Sequence, residues 1–145
     1  MSTRINMQQV NPEAYAAMYG MEKFVRASSL EKTIIELVKI RASQINGCAF
    51  CINMHTKDAR SQGETEQRIY ALSAWRDTPY FTEKEQAALA LTEAVTLIST
   101  NHVPGDVYEE AAKHFGDKAL SELIMAIITI NSWNRIAIST GMMPE

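Results

Sequence analysis

The sequence predicts an all-α fold, a single domain over residues 1–145 built from about six or seven helices. Three observations carry that prediction. Glycine (6) and proline (4) are too scarce in 145 residues for a sheet built on many tight turns. No segment alternates apolar and polar residues at period two. Helix-start and helix-stop residues punctuate the chain at spacings that suit helices. The length suits one buried core but not two.

Asn11-Pro12-Glu13 reads as an N-cap, a proline at the first helical position and an acidic first turn, opening a helix to about Phe24. Ser28 with Glu31 three residues on fits a capping box, followed by an apolar helix over 30–45. At about 100° per residue, Ile34, Leu37, Val38, Arg41 and Ile45 share one face of it. Ile35 and Ile40 lie off that face and Glu36 falls near the opposite side. A helix apolar on several sides is buried on several sides, so Glu36 is expected to contact protein.

Asn46-Gly47 breaks this helix, and a third runs from about Gly47 to Gln62 with Gly63 beyond its end. Glu64 to Ser73 reads as a short helix and Asp77-Thr78-Pro79 as a turn. Thr82 and Glu85 make a second capping box, opening a helix to about Thr100 on Ala87, Ala88, Leu91, Val95 and Ile98. Asn101 to Gly105 is a loop, Pro104 starts a helix through Phe115, and Gly116-Asp117 breaks it. Residues 118–138 form a long apolar last helix.

Charge narrows the function. The balance of 14 Lys+Arg against 17 Asp+Glu, without a basic run, argues against nucleic acid. Met1 to Val10 is polar and lacks the apolar stretch of an export signal. Leu120 to Ile138 is interrupted by Ser121, Glu122, Asn131, Asn134 and Arg135, a poor membrane span. A cytoplasmic, reducing location is therefore expected. There a close cysteine pair is more often redox-active or metal-binding than a structural staple.

Cys48-Ala49-Phe50-Cys51-Ile52-Asn53-Met54-His55 is the segment with chemistry in it. Cys48, Cys51 and His55, spaced i, i+3, i+7, fall within about 60° on a helix, so both sulfurs and the imidazole share a face. Asn46-Gly47 puts Cys48 in the first turn, where free amides and the helix dipole stabilise a thiolate. Two other readings remain. The cysteines are small core hydrophobes, or Cys48, Cys51 and His55 with Glu36 hold zinc. A c-type haem site is excluded because Ile52, not histidine, follows Cys51. His102 and His114 read as solvated, and Asn131, Trp133, Asn134 and Arg135 either line a pocket or hydrogen-bond within a core or interface.

The run from Glu36 through Arg41, Asn46, Cys48, Cys51 and His55 to Arg60 resembles the core signature of the alkylhydroperoxidase D-like branch of the carboxymuconolactone decarboxylase superfamily. Its spacing (Glu, eleven residues, CxxC, three residues, His) is specific. The likeness covers about Ser28 to Phe81 and continues more loosely through Asn131 to Arg135. The resemblance implies an all-α fold and a homotrimer or homohexamer. It implies catalytic roles for Glu36 and His55 as a proton relay and for Cys48 and Cys51 as a redox dithiol, with no resident cofactor or metal. It further implies a hydroperoxide substrate and an external dithiol reductant. Phe50 stands where alkylhydroperoxidase D has a second histidine, which makes the site more apolar. The alternatives are a lyase or isomerase using His55 and Glu36 as acid and base, and a non-enzymatic, redox-responsive oligomer.

Overall fold

The computed structural model describes residues 4–145, and its regular elements are all helical, with no strand among the described residues. Of the polar start, residues 1–3 lie outside the described residues. Helix α1 (Met7–Val10), capped by Asn6, is one turn long, too short for periodicity to announce. Helix α2 (Pro12–Arg26) starts as its cap predicts, with the Asn11 side chain accepting from Ala14 N, and runs two residues past Phe24.

Helix α3 (Lys32–Asn46) starts later than its capping box implied. Ser28 Oγ donates to Val25 O (2.6 Å) and accepts from Leu30 N, so its hydroxyl closes α2 and does not open α3. Glu31 is the N-cap without a side-chain bond, and its carboxylate reaches Lys84 (3.0 Å) instead. From Ile34 to Ile40 every residue of α3 is buried, Glu36 and Lys39 included. The helix packs against three others, α4 (Ala49–Ser61), α6 (Glu83–Thr96) and α8 (Gly105–Thr140).

Gly47 (φ 71°) is the left-handed terminus of α3, not the start of the next helix, so α4 begins two residues later than expected. The expected helix over 64–73 divides into α5 (Glu66–Ala71) and a 3₁₀ segment, Leu72–Asp77, broken at Ala74. The second capping box forms both ways: Glu85 N donates to Thr82 Oγ1 and Thr82 N to Glu85 Oε1. α6 stops at Thr96 because Leu97 leaves helical geometry, and the end of the expected helix is a separate single turn, α7 (Ile98–Asn101), which reaches one residue into the expected loop. The break at Gly116 is a kink (φ 75°) within α8, which continues to Thr140. The count of eight α-helices among the described residues exceeds six or seven because of the two single-turn elements.

One apolar cluster joins α2, α3, α6 and α8 through Val25, Ile34, Val38, Leu91, Leu123, Ile127 and Ile130. A second lies on another side of α3, through Leu37, Ile40, Ala59, Leu72, Trp75, Phe81 and Leu89. Its side chains thus explain why α3 is apolar nearly all round. No helix of the described residues is long and apolar enough to cross a membrane.

Candidate active site

The site forms where α3 hands over to α4. Gly47, in the left-handed conformation glycine adopts without steric penalty, turns the chain so that Cys48 is the N-cap of α4 itself. Its Sγ accepts from Cys51 N (3.3 Å). The turn is tied to α8 by Asn46 Nδ2, which donates to Asn131 Oδ1 and Asn134 Oδ1 at 2.9 Å each. Asn134 Nδ2 donates onward to Ser43 Oγ (3.0 Å). Asn131 and Asn134 are therefore seam residues, while Trp133 between them faces a cavity.

Cys48 and Cys51 form a disulfide with Cα atoms 5.3 Å apart, packed against Ala137 and Phe50 and almost fully buried. In this state neither sulfur is a thiolate, so the zinc set that used them is available only to the reduced chain. Cys51 and His55 both line a cavity of about 120 Å³; Cys48 does not. The cavity walls are largely aromatic. Tyr15, Tyr19 and Trp133 meet edge to face at 5.3–5.7 Å, and Phe50 and Met54 complete the apolar surface. Glu22 and Arg26 supply its charge.

Behind His55 stands Glu36, with Nδ1 and Oε2 3.8 Å apart, both atoms buried and without a hydrogen-bond partner among the described residues. Burial raises the Glu36 carboxyl to about 7, partly opposed by Lys39 and assisted by Asp58 and Glu22. Burial lowers His55 to about 4, and Lys39 pushes the same way. At neutral pH the imidazole is uncharged, and the Glu36 carboxyl is divided between its protonated and charged forms. The buried Lys39 is itself paired with Glu22 (2.9 Å), which also accepts from Arg26 (3.2 Å).

The four residues singled out in sequence thus meet in one region: Cys51 and His55 on the cavity, Cys48 bonded behind Cys51, Glu36 behind His55. Sequence reasoning passed over Tyr15, Tyr19, Glu22, Lys39 and Asp58. Tyr15/Tyr19 and Glu22/Arg26 each stand four apart on α2, a spacing that marks a shared face but not what it faces. His102 is exposed, and His114 pairs with Glu110 (3.0 Å).

The pattern of the carboxymuconolactone decarboxylase family matches residues 12–94. The uncharacterized protein YdfG of Bacillus subtilis (strain 168) is 48% identical over 141 residues, 97% of this chain and 96% of that one. ATU0492 of Agrobacterium tumefaciens, a protein of unknown function with a suggested AhpD-type role in antioxidant defence, superposes with a TM-score of 0.95. It is 43% identical, with 99% of this chain and 98% of that one covered. An uncharacterized peroxidase-related protein of Ralstonia eutropha JMP134, an alkylhydroperoxidase AhpD core, shares the fold (TM-score 0.82, 18% identity) over 96% of this chain and 74% of its own. With its motif, its helices and two near-full-length relatives in agreement, the chain belongs to the carboxymuconolactone decarboxylase family, in the alkylhydroperoxidase D-like branch.

Proposed function

We propose that the protein is a thiol-dependent hydroperoxide reductase. The observation that carries this reading is that Cys51 and His55 open onto one apolar cavity while Glu36 backs the imidazole from α3. In the reduced protein, neutral His55 takes the Cys51 thiol proton, directly or through a water, and Glu36 buffers the proton so held. The Cys51 thiolate attacks the terminal oxygen of a hydroperoxide and the O–O bond breaks. Cys51 becomes a sulfenic acid, and the departing alkoxide takes the relay's proton to leave as an alcohol. The Cys48 thiol then condenses with the sulfenic acid, releasing water and forming the disulfide. An external dithiol reduces it by two thiol–disulfide exchanges and is itself oxidised to a disulfide.

Cys51 is assigned as the attacking sulfur because it lines the cavity beside His55, whereas Cys48 sits behind it and caps α4. The reading includes cytoplasmic action and assembly as a homotrimer or homohexamer. Exposed Ile128 and Ile138 on α8 are apolar surface that assembly would cover.

The cysteine assignment is tested with single variants and a sulfenic-acid trapping reagent. Cys48→Ser is expected to reduce one hydroperoxide and accumulate trappable sulfenic acid, while Cys51→Ser reduces none. Sustained turnover at the parental rate by both variants would overturn the dithiol mechanism.

A further inference from the structure

The cavity in front of Cys51 and His55 is walled by α2, α4 and α8, and its α2 wall is a single stripe. Tyr15, Tyr19, Glu22 and Arg26 stand at i, i+4, i+7 and i+11, so they follow one face of that helix. Both tyrosines meet Trp133 of α8 edge to face, at 5.3 and 5.7 Å, which builds an aromatic wall at one end of the stripe. Burial, with Tyr19 beside it, raises the Tyr15 phenol, so that ring stays uncharged at neutral pH.

Charge sits at the other end of the stripe and is not balanced. Glu22 is the one carboxylate on the cavity among the described residues, and buried Lys39 holds it at 2.9 Å. Arg26 Nε also donates to Glu22, at 3.2 Å, which turns the guanidinium back along the stripe toward the rings. One carboxylate faces two cations, so one positive charge is left over. The terminal nitrogens of Arg26 make no hydrogen bond among the described residues, and its side chain is 71% exposed.

Size and wall chemistry narrow the occupant. The cavity holds about 120 Å³, on the scale of the roughly 150 Å³ that accommodates one benzene ring and several times the roughly 30 Å³ of a water molecule. It is oversized for hydrogen peroxide and undersized for a fused ring system. Aromatic walls favour an aromatic occupant over an aliphatic one of equal area, because ring edges and faces attract one another. A free guanidinium fork suits a carboxylate.

We propose that this cavity takes a carboxylate carried on a single aromatic ring, with the ring against Tyr15, Tyr19 and Trp133 and the carboxylate on Arg26. That such a ligand also bears the hydroperoxyl group rests on the reductase reading; the ligand class does not. The test therefore measures binding first, on protein kept in the disulfide form so that no thiol reacts.

Three probes are titrated in a calorimeter at low salt: 4-isopropylbenzoate, its neutral amide, and the saturated-ring acid 4-isopropylcyclohexanecarboxylate. Wild-type protein is expected to bind the benzoate about fivefold more tightly than the amide, the upper end for an ion pair at an exposed guanidinium. Added salt should shrink that difference, and the saturated-ring acid should bind more weakly than the benzoate. Arg26→Gln should bring the benzoate down to the amide and leave the amide unchanged. Tyr19→Ala should weaken benzoate and amide together. Both changes are at exposed positions, so neither removes core packing. No saturable binding, equal affinity for benzoate and amide, a benzoate preference that survives Arg26→Gln, or equal affinity for the saturated ring would each overturn the proposal. Reduced protein is then given the hydroperoxide of 4-isopropylbenzoate. Binding in the expected pattern with no reduction of that hydroperoxide would overturn the reductase reading and support the ligand class alone.

Discussion

Burial at Glu36 disfavours its charged form, and two opposite consequences follow from that one fact. In the fold the carboxyl titrates near 7, against an ordinary value of 4.5, so its ionisation destabilises the native state as pH rises between those values. The Glu36→Gln variant is therefore expected to melt at a higher temperature than wild type at pH 8. It should at the same time slow disulfide formation by hydroperoxide about a hundredfold, the scale of lost acid–base assistance. Thermal melts and single-turnover kinetics on the same preparation check both signs. A loss of stability together with an unchanged rate would make Glu36 an ordinary core acid. At this scale the sequence disclosed whatever lay within one helix, since the i, i+3, i+7 spacing of Cys48, Cys51 and His55 translates directly into a shared face. Lys39 and Glu22 were opaque, because their pairing crosses from α2 to α3 and neither position has a distinctive local pattern.

The α3–α4 junction shows how an element boundary becomes a chemical feature. With Gly47 at φ 71°, a side chain there is strained by about 1–2 kcal/mol. Gly47→Ala should lower the denaturant midpoint by about that stability and also slow disulfide formation, because the same turn aims Cys48 at Cys51. Thr82→Ala offers the contrast. Losing the capping-box hydroxyl should cost about 1 kcal/mol while leaving the reaction with hydroperoxide unchanged, since Thr82 is remote from the cavity lining. Equal kinetic effects from the two changes would mean that the turn has no special role. The two capping boxes also explain what local reading can deliver. Thr82–Glu85 formed with Glu85 also accepting from Arg68, because the Thr82 hydroxyl is left to its own helix; Ser28–Glu31 did not, because Ser28 serves the helix before it and Glu31 reaches Lys84.

Across the whole molecule, stability against acid depends on ion pairs between helices. Burial alone would raise Glu85 and Glu93, but hydrogen bonds from Arg68 to Glu85, and from Arg76, Arg41 and Trp75 to Glu93, outweigh it and hold both below the ordinary carboxylate value. A depressed native value stabilises the fold above the unfolded value of 4.5 and is lost as pH falls through the native one. The melting temperature should therefore drop below about pH 4.5, and Arg68→Gln should flatten that dependence while lowering stability at neutral pH. An unchanged acid slope in Arg68→Gln would show that the pair contributes nothing. The all-α fold was legible at this scale because caps, scarce glycine and helical periodicity agree. The aromatic cavity was not, since Tyr15, Tyr19 and Trp133 come from chain segments over a hundred residues apart and meet only when α2 packs on α8. The central claim concerns that cavity and the two sulfurs at its edge. Titrating fully reduced wild-type protein with an organic hydroperoxide, with thiol counting and mass analysis of the peptide holding Cys48 and Cys51, tests it most directly. One hydroperoxide consumed per two thiols, with both lost to a Cys48–Cys51 disulfide, is the expected result. Thiols that survive a stoichiometric amount of hydroperoxide would contradict it.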